Sequence, residues 1–313
     1  MNFNIIGVPI NLGCDRDGAQ LGPDVIRELG IINMMKAEGH YVYDKGNIFI
    51  PSVSADEKYL GDANLKYLNP IAEINTTLAK KVYNTLDSGC FPFVLGGDHS
   101  LGIGSIAGAS KYFHELAVIW IDAHGDINTG DTSPSGNIHG MPLAASMNVG
   151  HPTLTNIYFK GQKVKPENVY ILGGRDIDLG EYDLARELKL NLFTMDVIEE
   201  KGLDAVLNTI INKIKSSNVD GVHLSFDIDA LDRSIVPGTG TAVEDGFNLE
   251  EGKYLLAKLF SEGFVTSMDF VELNPLLDDK EGTTIKTCSE LLKYIIKFLN
   301  VSNYVEMDKQ VAL

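Results

Sequence analysis

The sequence predicts an α/β protein: a mostly parallel sheet of about eight strands with helices on both faces. Two observations carry this expectation. Short apolar runs alternate with amphipathic stretches through most of the 313 residues, and regular β-α alternation builds parallel sheets covered on both sides. No internal repeat, low-complexity tract or linker interrupts the pattern, so one domain over residues 1–313 is expected.

Taken in order, residues 4–9 form a short apolar strand. Gly22-Pro23 opens a helix running to about Glu38, with proline in the first turn, where its missing N–H costs little. Residues 41–44 read as a second strand, whereas residues 51–70 show no period and have no assigned role. Ile71, Ile74, Leu78, Val82 and Leu86 recur at three- and four-residue steps, the stripe of a helix lying on a core. A strand at 91–95, a helix at 102–113 and a strand at Leu116–Ile121 follow. Beyond a loop rich in Gly, Ser, Thr and Pro at 129–140 come a strand at 169–172, a helix near 181–188 and a strand at 191–193. Leu203, Val206, Leu207, Ile210, Ile211 and Ile214 mark another helix, which feeds a strand at 221–226. A helix at 249–261, a strand at 264–271 and an amphipathic helix at 285–299 close the pattern.

Composition narrows the function. A formal charge of -17 argues against nucleic acid, whose phosphates need a basic surface. It suits metal cations or a cationic substrate. Cys14, Cys90 and Cys288 are odd in number, far apart and outside any CxxC pair, which favours buried, reduced thiols. The start, Met1 to Gly7, lacks a basic segment followed by a long apolar one, and no apolar run approaches membrane-spanning length. A cytoplasmic protein away from the membrane is expected.

The chemistry concentrates at strand ends, where ligands of open parallel sheets bind. Asp122, His124 and Asp126 directly follow the apolar run Leu116–Ile121; if the extended backbone continued, period-2 alternation would point all three to one side. His99 follows the strand at 91–95, and Asp227 and Asp229 follow the one at 221–226. Singly, each aspartate reads as a turn former or helix cap. Together they make four carboxylates and two imidazoles with no thiolate. That donor set favours Mn²⁺ or a similar borderline-hard ion over structural zinc. Four carboxylates balance two divalent cations, which could share a water and lower its pKa enough to give hydroxide near neutrality. A Gly102-Ile-Gly-Ser-Ile-Ala107 stretch matches the dinucleotide-binding pattern G-x-G-x-x-A, but Gly97 to Ser100 separate it from its strand, where that fingerprint needs an immediate turn.

Gly96-Gly-Asp-His-Ser100, Asp122-Ala-His-Gly-Asp126 and Ser225-Phe-Asp-Ile-Asp229 resemble the three signatures of the ureohydrolase family, which includes arginases and agmatinases. The likeness extends from Gly7-Val-Pro9 and Gly22-Pro23 to Glu272-Leu-Asn-Pro275. It implies a three-layer α/β/α fold, two Mn²⁺ per chain and hydrolysis of a guanidinium group to urea and an amine. It also implies a homo-oligomer, a trimer or hexamer. By motif match the metal ligands are His99, Asp122, His124, Asp126, Asp227 and Asp229.

Further segments resemble arginases in particular. The stretch from Asp126 to His139 matches the loop whose residues, here Asn128, Ser135 and Asn137, bind the α-carboxylate of L-arginine. Asp178 and Glu181 match acids that hold the α-amino group, and Glu272 matches the guanidinium anchor. Neutral donors suit a carboxylate, and acids suit ammonium and guanidinium. The match makes His139 the proton shuttle and places Thr241 beside the second metal. His139, Asp126 and Glu272 form the implied catalytic set. Read without the likeness, Asn128 to His139 is a turn-rich loop and Asp178/Glu181 a solvated helix start. Agmatine is the rival substrate, but it has no carboxylate for the neutral donors. An inactive homologue should have lost a ligand or His139, and all are present. Some positions depart from the pattern. Gly125 stands where the family often has Ala or Thr and is expected to loosen the backbone. Asp232-Arg233 and Thr241-Ala242 replace pairs that usually end in proline, and Leu179 replaces a frequent proline.

Overall fold

In the computed structural model, which describes residues 1–301, the apolar runs lie side by side as one parallel sheet. Its strands are β1 (Asn2–Val8), β2 (Tyr41–Asn47), β3 (Phe91–Gly96), β4 (Leu116–Ile121), β5 (Val169–Gly174), β6 (Asn191–Thr194), β7 (Gly221–Asp227) and β8 (Val265–Val271). The eight strands run in the order β2-β1-β3-β8-β7-β4-β5-β6. The expected fold class is therefore found, and its strand count with it. Residues 302–313, which the expected single domain includes, lie outside the described residues.

Alternation across the pleat builds two cores. Phe93, Leu95, Ala117, Ile119 and Ile121 point to one face, and Val94, Leu116, Val118 and Trp120 to the other. The first face is covered by α1 (Gly22–Glu28), α2 (Ile31–Ala37), α8 (Met195–Lys201), α9 (Leu203–Ser216), α10 (Leu249–Ser261) and α11 (Thr283–Ile295). The second is covered by α3 (Leu68–Asp87), α4 (Gly102–Tyr112), α5 (Pro142–Ser146), α6 (Pro152–Thr155) and α7 (Leu179–Leu188). Ile71, Ile74, Leu78 and Val82 of α3 are buried, as their spacing requires.

The helix expected over 22–38 is two helices. Gly30 adopts φ +83°, a left-handed conformation that ends α1 and starts α2. The final helix stops at Ile295 and tightens into a 3₁₀ turn, Ile296–Val301. Residues 51–70 form a 3₁₀ turn, Ala55–Glu57, then a segment that buries Leu65 and Tyr67 and enters α3 at Leu68. The glycines of the dinucleotide-like stretch lie inside α4. A Cβ on Gly102 would come within 2.7 Å of the Trp120 ring, and one on Gly104 within 2.5 Å of the Asn75 carbonyl. They serve close helix contact rather than phosphate binding.

The order β3-β8-β7-β4-β5 brings five carboxyl ends together. Ile121 stands level with Phe226, and Asp227 with Val271. The segments after β3, β4, β5, β7 and β8 therefore meet at one edge of the sheet.

Candidate metal centre and active site

His99 is fixed before any ligand arrives. Asp98 caps the 3₁₀ turn His99–Leu101 by accepting the Ser100 N–H, and its other oxygen accepts the N–H groups of Gly13 and Cys14. One acid thus ties the turn after β3 to the loop after β1. The His99 ring stacks on Trp120 at 3.9 Å and 9°. Its Nε2 lies 2.8 Å from Ser225 Oγ. With Nε2–H donated to that hydroxyl, the Nδ1 lone pair faces Asp122 Oδ2 at 3.0 Å, Asp227 Oδ2 at 3.1 Å and Asp126 Oδ2 at 3.3 Å. Buried Nδ1 meets none of them with hydrogen-bond geometry.

A second group adjoins the first. His124 Nδ1 lies 3.2 Å from both Asp122 Oδ1 and Asp229 Oδ2. The two groups that could hold a metal ion are His99/Asp122/Asp227 and Asp122/His124/Asp229, and they share Asp122. Asp227 closes the turn after β7 by accepting the Asp229 N–H, while Asp229 accepts from Ala123 N–H and Thr241 Oγ1. The six expected ligands therefore converge.

Asp126 arrives by a different route from the one expected. The extended backbone stops at Ile121, the chain bends over Asp122 to His124, and Asp126 adopts φ +53°. A left-handed residue, not strand alternation, turns this carboxylate inward. Glu272, after β8, is also left-handed at φ +67°. Such conformations in residues other than glycine persist where surrounding contacts impose them, often at functional sites.

The charges call for cations. Burial, reinforced by the neighbouring carboxylates, holds the protonation of Asp126 and Asp227 well above the ordinary carboxylate range, and Asp229 is raised by the same causes. Asp122 is equally buried, but contact with both imidazoles holds its pKa down. His99 and His124 are raised despite burial because the carboxylates favour their charged forms. A cluster that takes up protons to offset its own repulsion is one that divalent cations would stabilise. The oxygen-rich donor set and the unpartnered Nδ1 of His99 both fit such ions.

Above the cluster lies a cavity of about 120 Å³. His99, His124, Asp126 and Asp227 line it, together with Asn128, Ser135, Asn137, His139, Asp178, Glu181 and Thr241. The Asp178 carboxylate accepts from Asn128 Nδ2 at 2.8 Å. Glu181 lies deeper than its expected role suggests. Its two oxygens accept the N–H groups of Ile127 and Asp178, and burial raises its pKa to about 7. Gly125 gives it room, because a Cβ there would lie 2.9 Å from Glu181 Oε1. The glycine serves this approach, where looser backbone was expected. Glu272 Oε1 accepts the His99 N–H and lies 3.2 Å from His139 Nδ1; Oε2 is buried with no partner.

Comparison with known proteins places this geometry. A sequence model of the Arginase family matches residues 1–297. The chain belongs to the arginase family. It is 45% identical to an arginase of Brevibacillus brevis over 294 residues, covering 94% of this chain and 97% of that one. Among solved structures, native Bacillus caldovelox arginase at pH 5.6 superposes with TM-score 0.90 at 42% identity, covering 94% of this chain and 98% of its own. Entamoeba histolytica arginase in complex with L-ornithine gives TM-score 0.85 at 32% identity, with coverage of 94% and 97%. Family membership agrees with the motifs and with the α/β/α architecture read from the sequence.

Several supporting residues carried no sequence signal of their own. Trp120 stacks on His99 and donates from Nε1 to Asp122 Oδ2 at 3.0 Å. Arg175 donates to backbone carbonyls of Gly173, Asp229, Ala230, Leu231, Val243 and Glu244, tying the turn after β7 to a distant loop. Cys14 and Cys288 are buried free thiols as expected, whereas Cys90 is half-buried. Among the described residues, no helix is long and apolar enough to cross a membrane.

Proposed function

We propose that this chain hydrolyses L-arginine to L-ornithine and urea, with two Mn²⁺ held by His99, Asp122, His124, Asp126, Asp227 and Asp229. The observation that carries the reading is the pair of His/Asp groups sharing Asp122 beneath a cavity lined with acids. Two such cations, when bound, supply Lewis acidity and a water of lowered pKa. The chain's own residues do the rest. Glu272 receives the guanidinium through its unpartnered Oε2, while its other oxygen orients His99 and His139. His139 stores a proton and delivers it to the departing amine. Burial opposes its charge, but Glu272 and Asp98 outweigh burial and raise its pKa, so the proton is kept near neutrality. Asp178 takes the α-ammonium, with Glu181 holding its backbone behind it. Asn128, Ser135 and Asn137 serve the α-carboxylate, and Thr241 steadies Asp229. The same reading treats the chain as one domain, located in the cytoplasm and assembled as a homo-trimer or hexamer.

The test is urea release from arginine, agmatine and guanidinobutyrate, using chelator-stripped protein with Mn²⁺ restored. Arginine should be strongly preferred; preference for agmatine would overturn the substrate assignment. Asp178→Ala sharpens the test. Losing one partner of a charge pair costs on the order of 2–5 kcal/mol, with a partly hydrated site at the low end. At about 1.4 kcal/mol per tenfold, kcat/KM for arginine should fall at least roughly tenfold. Guanidinobutyrate, which carries no ammonium, should change little; agmatine, which keeps the amine, should fall with arginine, and metal content should hold. Equal losses for arginine and guanidinobutyrate would return Asp178 to a structural role.

A further inference from the structure

The α-carboxylate end of the cavity has neutral donors in front and a lysine behind. Lys66 Nζ donates to Asn137 Oδ1 at 2.8 Å and lies 3.1 Å from Asp15 Oδ2. Lys58 Nζ reaches the same Asp15 oxygen at 2.8 Å. The Asn137 Nδ2 donates to the Cys14 carbonyl at 3.2 Å. An ammonium only donates, so the oxygen end of the Asn137 amide must face Lys66, and the orientation of that amide is settled by its neighbour. The Lys66 backbone N–H also donates to the Gly136 carbonyl at 3.0 Å. Gly136 has φ +70°, and a Cβ there would collide with the Asn64 carbonyl. Residues 64–66 therefore clamp the cavity loop from behind, while the loop after β1 holds it from the side through the His139 N–H to Gly13 carbonyl bond.

Charge gives this clamp a second meaning. Beyond the residues assigned to the metals, Asp176, Asp178 and Glu181 line the cavity, a surrounding that repels a carboxylate. Asn128, Ser135 and Asn137 can donate hydrogen bonds but bring no charge. Lys58 and Lys66 against Asp15 leave one positive charge directly behind Asn137. Burial works against the ionised form of Asp15, but the two lysines outweigh it and lower its pKa, so the trio keeps that net charge.

We propose that Lys66, anchored by Asp15, is a positioning residue for the substrate's α-carboxylate. It fixes the Asn137 amide and supplies the positive charge that selects amino-acid guanidines over decarboxylated ones. This inference rests on the arginine reading given above.

The experiment is Lys66→Met in the full-length, Mn²⁺-loaded protein, with Lys66→Arg beside it. KM and kcat are measured for arginine and agmatine, and L-ornithine and putrescine binding are followed by calorimetry. Losing a charge-assisted hydrogen bond should raise KM for arginine and Kd for ornithine roughly tenfold or more. The kcat for arginine, the agmatine constants, putrescine binding and metal content should stay near wild type, and Lys66→Arg should recover most of the loss. Unchanged arginine KM and ornithine Kd in Lys66→Met would overturn the proposal. So would equal losses for both members of each pair, which would mark a general loop defect. A wild-type chain that neither releases urea from arginine nor binds ornithine would defeat the functional reading itself, and the Lys66 assignment with it.

Discussion

Asp229→Ala is expected to hold fewer than two divalent cations per chain and to lose nearly all urea release. The carboxylate is wholly buried, and one of its oxygens lies 3.2 Å from His124 Nδ1. Its removal takes one donor from the group Asp122/His124/Asp229 and leaves the Ala123 N–H and the Thr241 hydroxyl without their acceptor. Loss of an outer partner of a metal ligand typically costs 10–100-fold in metal affinity, so loss of a ligand should exceed roughly 100-fold. The Lewis-acid contribution is several kcal/mol, which puts the fall in rate at about 10³-fold or more. Asp229→Asn keeps an acceptor for Ala123 and should fall between the two. Elemental analysis showing two tightly held ions in an active Asp229→Ala protein would sink the binuclear assignment. Acid should act in the same direction as the mutation. Protonation of Asp126 and Asp227 is favoured by burial and by neighbouring carboxylates such as Asp122, so protons compete with cations for these oxygens. Metal occupancy, measured by equilibrium dialysis, should fall as pH is lowered.

His139→Asn should leave the cations in place and still cost about 10²–10⁴ in turnover, the usual contribution of one acid–base group. His139 stands 3.2 Å from Glu272 Oε1 and outside both groups that could hold a metal. Asparagine has no proton to release near neutrality, whereas the raised pKa of His139 keeps one available there. Metal content and thermal melting should match the wild type, which separates lost chemistry from lost structure. Near-normal turnover with two cations bound would remove the shuttle role.

The strands of the site were legible because β3, β4 and β7 are buried at every position, so their apolar runs stand out and the polar residues that follow them stand out more. The polar side chains that converge at those strand ends were legible for the same reason. The path of the backbone between ligands was not. Alternation extrapolated past Ile121 points Asp126 to the side where it is found, but for the wrong reason, since a left-handed residue turns it inward. The break at Gly30 was hidden because apolar residues such as Ile26, Ile31 and Met35 continue across it. Supporting contacts were least legible. Lys66 and Asn137 are separated by 71 residues, and Arg175 reaches carbonyls 54 to 69 positions away. No local pattern encodes such partners. Residues 51–70 show no period because their placement rests on scattered buried side chains and backbone bonds.

Trp120 is the chain's sole tryptophan, and its ring is stacked against His99 with its N–H on Asp122. The molecule thus carries its own optical gauge at the candidate metal centre. Ultraviolet emission will change as cations arrive and reverse on chelation, and no other indole will dilute the signal. Loading can then be followed in a stopped-flow cell with no substrate present. The kinetics of filling the site become measurable apart from the kinetics of turnover, even in variants that do no chemistry at all.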